Sequence, residues 1–162
     1  MFSIVYRFLF PKQILTFSAN AVLFTYLLGK YFCIRRKDLF VEYEDLKVKE
    51  LFDDLNDIRY SGNLMRKKAG AEITKAVKKR YNQIVAFSNF EELLNSGLGK
   101  PEAMEGNLKG YYSLRVSANY RLIVRPITDD LSIEKLKECD TVIVKGVTDY
   151  HGKNNKHNWI IP

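Results

Sequence analysis

The chain has little of what staples small or metal-dependent folds together. Its 162 residues include two cysteines, Cys33 and Cys139, and two histidines, His151 and His157, with no CxxC pair and no Cys/His ligand spacing. A disulfide framework and a structural zinc site are therefore excluded, and the thiols read as free in a reducing compartment. Four prolines and nine glycines are too few for a collagen-like or low-complexity chain, and no internal repeat points to a solenoid. Acidic residues are missing from residues 1–37, where Arg7, Lys12, Lys30, Arg35, Arg36 and Lys37 stand unopposed.

Within that segment, residues 13–29 carry no charge and include Ile14, Leu15, Phe17, Val22, Leu23, Phe24, Tyr26, Leu27 and Leu28. The run is at the short limit for a membrane-spanning helix and is diluted by Gln13, Thr16, Ser18, Asn20 and Thr25. No small-residue cleavage site follows it, which argues against a secretory signal. Three readings of residues 1–37 stay open: a membrane anchor, a leader created by a translation start placed too far upstream, and a packed accessory helix. As an anchor it would hold the following domain in the cytoplasm, because Lys30 and the Arg35, Arg36, Lys37 run outweigh Arg7 and Lys12.

Residues 38–162 are expected to form a separate folded domain. Hydrophobic residues make up 46% of the chain and charged residues 28%, enough for one buried core under a solvated surface. The net charge is +7, but residues 38–162 hold 20 bases against 19 acids. Their charge is polarised. Residues 38–57 carry eight acids and two lysines, whereas residues 58–81 carry eight bases and Glu72. This suits a protein that meets phosphate on one surface, and equally suits two solvated helix faces.

Alternation over residues 39–43 predicts a short strand. Leu46, Leu51, Phe52, Leu55 and Ile58 recur at helical spacing until Ser61, Gly62 and Asn63 interrupt them. Ala69, Ile73, Ala76, Val77, Ile84 and Val85 predict one longer helix over residues 65–87. Phe90, Leu93 and Leu94 mark a short helical piece, and residues 96–101 a loop. Residues 111–117 and 120–125 predict two strands around a two-residue turn at Ala118 and Asn119. Residues 129–139 are acidic and partly helical, residues 141–147 form an apolar strand, and the tail from Gly152 is expected to be loosely held. The order predicts an α+β fold, two N-terminal helices packed on a small, mostly antiparallel sheet.

The chemistry gathers at two places. The segment GNLKGYYSLRVSANYRLIVRP, residues 106–126, offers Lys109, Arg115, Arg121 and Arg125 to phosphate, and Asp149, Tyr150 and His151 follow the last apolar strand. The triplet supplies an acid, a phenol and an imidazole, and an imidazole with a pKa of about 6.5 exchanges protons near neutrality. RNA cleavage without a metal requires such a base, cations for the crowded phosphorane and an acid for the leaving oxygen. Without other context the triplet reads more simply as a strand-end cluster, Arg121 as the partner of a nearby acid, and Tyr111 and Tyr112 as sheet aromatics. A two-residue turn sets Tyr112, Leu114, Val116, Arg121, Ile123 and Arg125 on one face and Ser113, Arg115, Leu122 and Val124 on the other. Alternation therefore leaves open whether Arg115 reaches RNA.

The Gly106-x-x-x-Gly110-Tyr111 run, the Tyr120-Arg121-Leu122 hairpin strand and the terminal Asp149-Tyr150-His151 together resemble the RelE/ParE toxin superfamily, nearest its HigB-like toxins, over residues 38–151. The resemblance implies a ribosome-dependent endoribonuclease that cuts mRNA in the decoding site without a metal or cofactor. It also implies inhibition by a cognate helix-turn-helix antitoxin of the HigA type. By position, Arg121 matches the phosphate-facing arginine of that family, and Asp149, Tyr150 and His151 match its C-terminal catalytic triplet. Lys109 falls in a commonly basic segment. HigB proteins carry a histidine four residues before the first glycine, where this chain has Glu102, a proton acceptor but not a cation. The strand lysines of RelE are replaced by Tyr112 and Leu114. Two other readings remain: a ParE-like module that poisons a topoisomerase by contact, and a degenerate or membrane-tethered homologue.

Overall fold

A computed structural model of the chain describes residues 38–150 and 158–162. The expectations for residues 1–37, the anchor run 13–29 included, lie outside the described residues, as does His151. Among the described residues, no helix is long and apolar enough to cross a membrane.

Strand β1 (Phe40–Tyr43) leads into helix α1 (Leu46–Asn56), started by Asp45, whose side chain accepts the Val48 N–H at 2.9 Å. Helices α2 (Asn63–Ala69) and α3 (Ala71–Val85) follow in place of the single helix expected over residues 65–87. The break is Gly70, whose φ of 84° no helix accommodates. The apolar periodicity reads through it because Met65 on one side and Val77 and Ile84 on the other are buried in the same core. Helix α4 (Phe90–Asn95) is capped by Asn89. Then come β2 (Glu102–Ala103), a 3-10 turn (Gly106–Leu108), β3 (Tyr112–Arg115), β4 (Tyr120–Pro126), α5 (Ile133–Glu138), β5 (Thr141–Asp149) and β6 (Asn158–Ile161).

Gly62 has no side chain with which to cap α2, and the carboxylate of Asp54 on the preceding helix does so instead, accepting the Leu64 N–H at 2.9 Å. Asp54 is almost fully buried. Asp54→Ala leaves a first-turn N–H without its acceptor and is expected to cost about 1–2 kcal/mol. A urea midpoint lowered without change in slope would show this, and an unchanged midpoint would refute it.

The described strands form one sheet ordered β1-β5-β4-β3-β2, with β6 also pairing β5. Only the β1–β5 contact is parallel, so the expected α+β architecture is observed. Phe52, Leu55, Met65, Val77, Ile84, Phe90 and Leu93 of the helices pack on Leu114, Leu122, Val124, Val142, Val144 and Val147 of the sheet. The Phe52 ring lies 5.4 Å from that of Tyr43 and 5.7 Å from that of Tyr81, joining α1 to β1 and α3. The C-terminal tail is less loose than predicted: Ile161 is fully buried in this core, and burial of a side chain that size, worth about 1.5–3 kcal/mol, explains why β6 adds to the sheet.

Candidate functional site

The register of the β3–β4 hairpin decides the site. Tyr112 pairs with Val124, Ser113 with Ile123, Leu114 with Leu122 and Arg115 with Arg121. This is one residue out of step with a two-residue turn. The strands are joined by residues 116–119, closed by Val116 N–H to Tyr120 O at 2.9 Å, Ser117 N–H to the same oxygen at 3.2 Å and Tyr120 N–H to Ser117 Oγ at 3.3 Å. A slip of one residue exchanges partners across the two faces. Tyr112, Leu114, Leu122 and Val124 therefore face the helices together, while Ser113, Arg115, Arg121 and Ile123 share the opposite face. The predicted separation of Arg115 from Arg121 is corrected.

Arg115 and Arg121 are also close along the pair. The Arg115 N–H donates to Gly99 O at 2.6 Å, and its carbonyl accepts from Arg80 Nε at 3.0 Å. Both backbone groups thus turn away from β4, making Arg115–Arg121 a non-hydrogen-bonded pair, the type in which Cα atoms are only about 4.5 Å apart. Like charges so placed repel unless something anionic joins them.

Arg121 is 5% exposed. Its Nη1 donates to the carbonyls of Ser117 (3.1 Å), Ala118 (3.3 Å) and Tyr120 (3.2 Å), tying down the connecting loop. Its Cζ lies 4.7 Å from the centroid of the Tyr150 ring, a cation–π contact. The Tyr150 N–H donates to Asn119 O at 2.7 Å, so the end of β5 is fastened to the same loop. The Tyr150 ring is 58% exposed and presents a surface for stacking.

Glu102 enters from the neighbouring strand, paired with Ser113 and exposed. It is the diagonal neighbour of Arg115, roughly 7–8 Å away between Cα atoms and within reach of long side chains. Asp149 is placed differently. It pairs with Tyr120 and Asn158, one step out of phase with the Arg121–Thr148 pair, and so projects from the opposite face. Tyr120 accordingly packs against the core.

Arg125 stands farther along β4, in a second group. Its Cζ is 5.5 Å from the Tyr111 ring centroid, and Lys145 Nζ is 5.2 Å from the same ring. The Tyr111 hydroxyl donates to Glu44 Oε2 at 3.1 Å, and Lys145 bonds the other oxygen of that carboxylate. Burial, and then the Glu44 contact, push the Tyr111 phenol above its ordinary pKa, so it stays a donor. Lys109 is exposed just after the 3-10 turn, on the rim of a hollow of about 270 Å³ whose lining includes Met104, Glu105, Tyr111, Tyr112 and Leu131. Of the predicted residues, Arg115, Arg121, Tyr150 and Glu102 thus converge, while Arg125 and Lys109 lie apart. The sequence reading missed Arg80 and Gly99, which hold Arg115; Arg80 passes as one more base on a basic helix, and only the long-range contact distinguishes it.

The chain is similar in sequence to known toxins. Residues 69–139 match the family described as the YoeB-like toxin of bacterial type II toxin-antitoxin system. This segment contains Glu102, Arg115 and Arg121 and ends before Tyr150. Toxin YoeB of Streptomyces coelicolor is 38% identical over 63 residues, 39% of this chain and 73% of that protein. Toxin RelK of Mycobacterium tuberculosis is 40% identical over 42 residues, 26% of this chain and 49% of RelK. Among solved structures, the heterotetrameric YoeB-YefM toxin-antitoxin complex from Staphylococcus aureus aligns at 21% identity and a TM-score of 0.39, covering 70% of this chain and 98% of that one.

Proposed function

Because the chain belongs to the YoeB-like toxins of bacterial type II toxin–antitoxin systems, within the RelE/ParE superfamily, we propose that it is a ribosome-dependent endoribonuclease that stops translation by cutting mRNA. The observation that carries this reading is the Arg115–Arg121 pair, two guanidinium groups on one sheet face beside Glu102 and Tyr150. An RNA phosphate relieves their repulsion and accepts charge-assisted hydrogen bonds from both.

In this mechanism Glu102 takes the proton from the ribose 2′-OH as that oxygen attacks phosphorus. Arg115 and Arg121 stabilise the charge of the phosphorane. The bond to the 5′ oxygen then breaks, leaving a 2′,3′-cyclic phosphate, and the departing oxygen takes a proton from His151. Tyr150 stacks on a base and holds the strand. His151 is assigned from its place in the triplet, through the likeness to HigB toxins, and not from geometry. Asp149 keeps no direct role, since it leaves the other face.

Membership of a type II system brings a cognate antitoxin as partner. The S. aureus relative is complexed with YefM, and an antitoxin of that kind, or one of the HigA type, is the partner proposed here. Ribosome-bound mRNA as substrate places the working domain in the cytoplasm.

Mapping mRNA 5′ ends after a short pulse of expression tests the activity. Discrete new ends within translated codons are expected, and Arg115→Ala is expected to reduce them by about 100-fold. Intact mRNA accompanied by DNA damage would instead favour topoisomerase poisoning and end the nuclease reading.

A further inference from the structure

We propose that Arg80 on helix α3 is a positioning residue for cleavage, acting through Arg115. This inference rests on the nuclease reading above, and its geometry stands independently. Strand β2 pairs with β3 only at Tyr112 and Ser113, so at Arg115 the outer edge of β3 has no strand neighbour among the described residues. Two groups from elsewhere in the chain fill that place. Arg80 Nε donates to the Arg115 carbonyl at 3.0 Å, and Gly99 O accepts the Arg115 N–H at 2.6 Å.

Arg80 and Gly99 are themselves one unit. A Cβ built on Gly99 would come within 2.9 Å of Arg80 Cζ and 3.1 Å of its Nε and Nη1, so the glycine backbone lies directly against the guanidinium plane. The left-handed φ of +75° at Gly99 aims its carbonyl at the Arg115 amide and admits few other residues. Gln83 Oε1, one turn along α3, accepts Arg80 Nη1 at 2.8 Å and sets the rotation of the guanidinium. Burial lowers the pKa of Arg80, a cost that its contacts must offset. The half-buried cation thus holds the Arg115 carbonyl while the glycine packed against it holds the Arg115 N–H, so the unit fixes one residue by both of its peptide groups, and that residue carries the side chain assigned to phosphate. Capping the sheet edge for stability alone would not require the held residue to be Arg115, and the two roles differ in their coupling.

The decisive experiment is a double-mutant cycle on the full chain, with single-turnover cleavage of ribosome-bound model mRNA as readout. Arg80→Met keeps the aliphatic stem and removes the donors. It is expected to lower kcat by about tenfold with KM changed less than about twofold, and to lower kcat less than about twofold when Arg115 is already alanine. Arg80→Lys, which keeps one donor, should fall between. An equal loss in both backgrounds, or none in either, overturns the inference. Amide exchange separates it from the nuclease reading: Arg80→Met should speed exchange of the Arg115 N–H by about tenfold or more while leaving core amides such as Leu122 unchanged. If the wild-type chain cuts no mRNA, the nuclease reading fails on that result alone, whatever the exchange shows. If Arg115 exchange is unaltered in an active protein, positioning by Arg80 is refuted.

Discussion

Arg121→Ala is expected to abolish growth arrest and to lower the stability of the domain by about 2–4 kcal/mol. The side chain is almost wholly buried and shares Nη1 among three loop carbonyls, so its loss leaves the carbonyls of Ser117 and Ala118 short of a donor, while Tyr120 O keeps the N–H groups of Val116 and Ser117. Each such bond is worth about 1 kcal/mol net. The cation–π contact with Tyr150 adds about 0.5–2 kcal/mol, and with it goes the anchor of the Tyr150 ring. On the proposed nuclease reading the functional loss is larger than the structural one, because the cation assigned to phosphate and the ring assigned to stacking are lost together. Arg121→Lys separates the two. An ammonium can reach a loop carbonyl but cannot offer a planar fork and a stacking face at once, so this variant should recover most of the stability and little of the toxicity. Growth after induction and urea denaturation of both variants check this. A toxic Arg121→Ala protein with the wild-type midpoint would show that the loop is held by other means and that the guanidinium is dispensable.

Gly146→Ala should have the largest effect on folding of any single methyl addition in the sheet. Gly146 lies opposite Ile123, where the β4–β5 register shifts by a bulge, and its φ is +149°. A Cβ there would collide with the carbonyl oxygen of Ile161 on β6 and crowd Pro162. That oxygen is backbone and cannot swing aside as a side chain does, so β6 must move away from β5. Displacing β6 withdraws Ile161 from the core. The expected cost is about 3 kcal/mol or more, the sum of an unfavourable φ and an overpacked contact. Ile161→Ala leaves the strand in place and loses about 2–4 kcal/mol by the cavity alone. Limited proteolysis distinguishes the two variants: only Gly146→Ala should expose the residues after 157 to cleavage. Continued protection of that tail in Gly146→Ala would mean that the sheet absorbs the methyl group by bending at the bulge.

The same two regions show where sequence reasoning succeeds. Local periodicity and turn residues are properties of short stretches, and they correctly predicted β1, α1, α4, the hairpin strands and the apolar β5. The break at Gly70 was hidden because the core collects Met65 and Val77 from both sides of it, leaving the apolar stripe continuous in the sequence. The last strand was missed because Trp159 and Ile161 look like a tail until β5 offers them an edge.

By itself the sequence determined the set of elements, the α+β class and the residue types available for chemistry, since these depend on spacings of a few residues and on side-chain identity. Which guanidinium groups meet was decided by the tertiary structure. Three residues, 117–119, between Val116 and Tyr120 in place of a two-residue turn move the register by one, and a strand with a two-residue period turns that single step into an exchange of faces. Arg115 joined Arg121 by that step, and a helix arginine 35 positions earlier in the chain holds it there through the backbone.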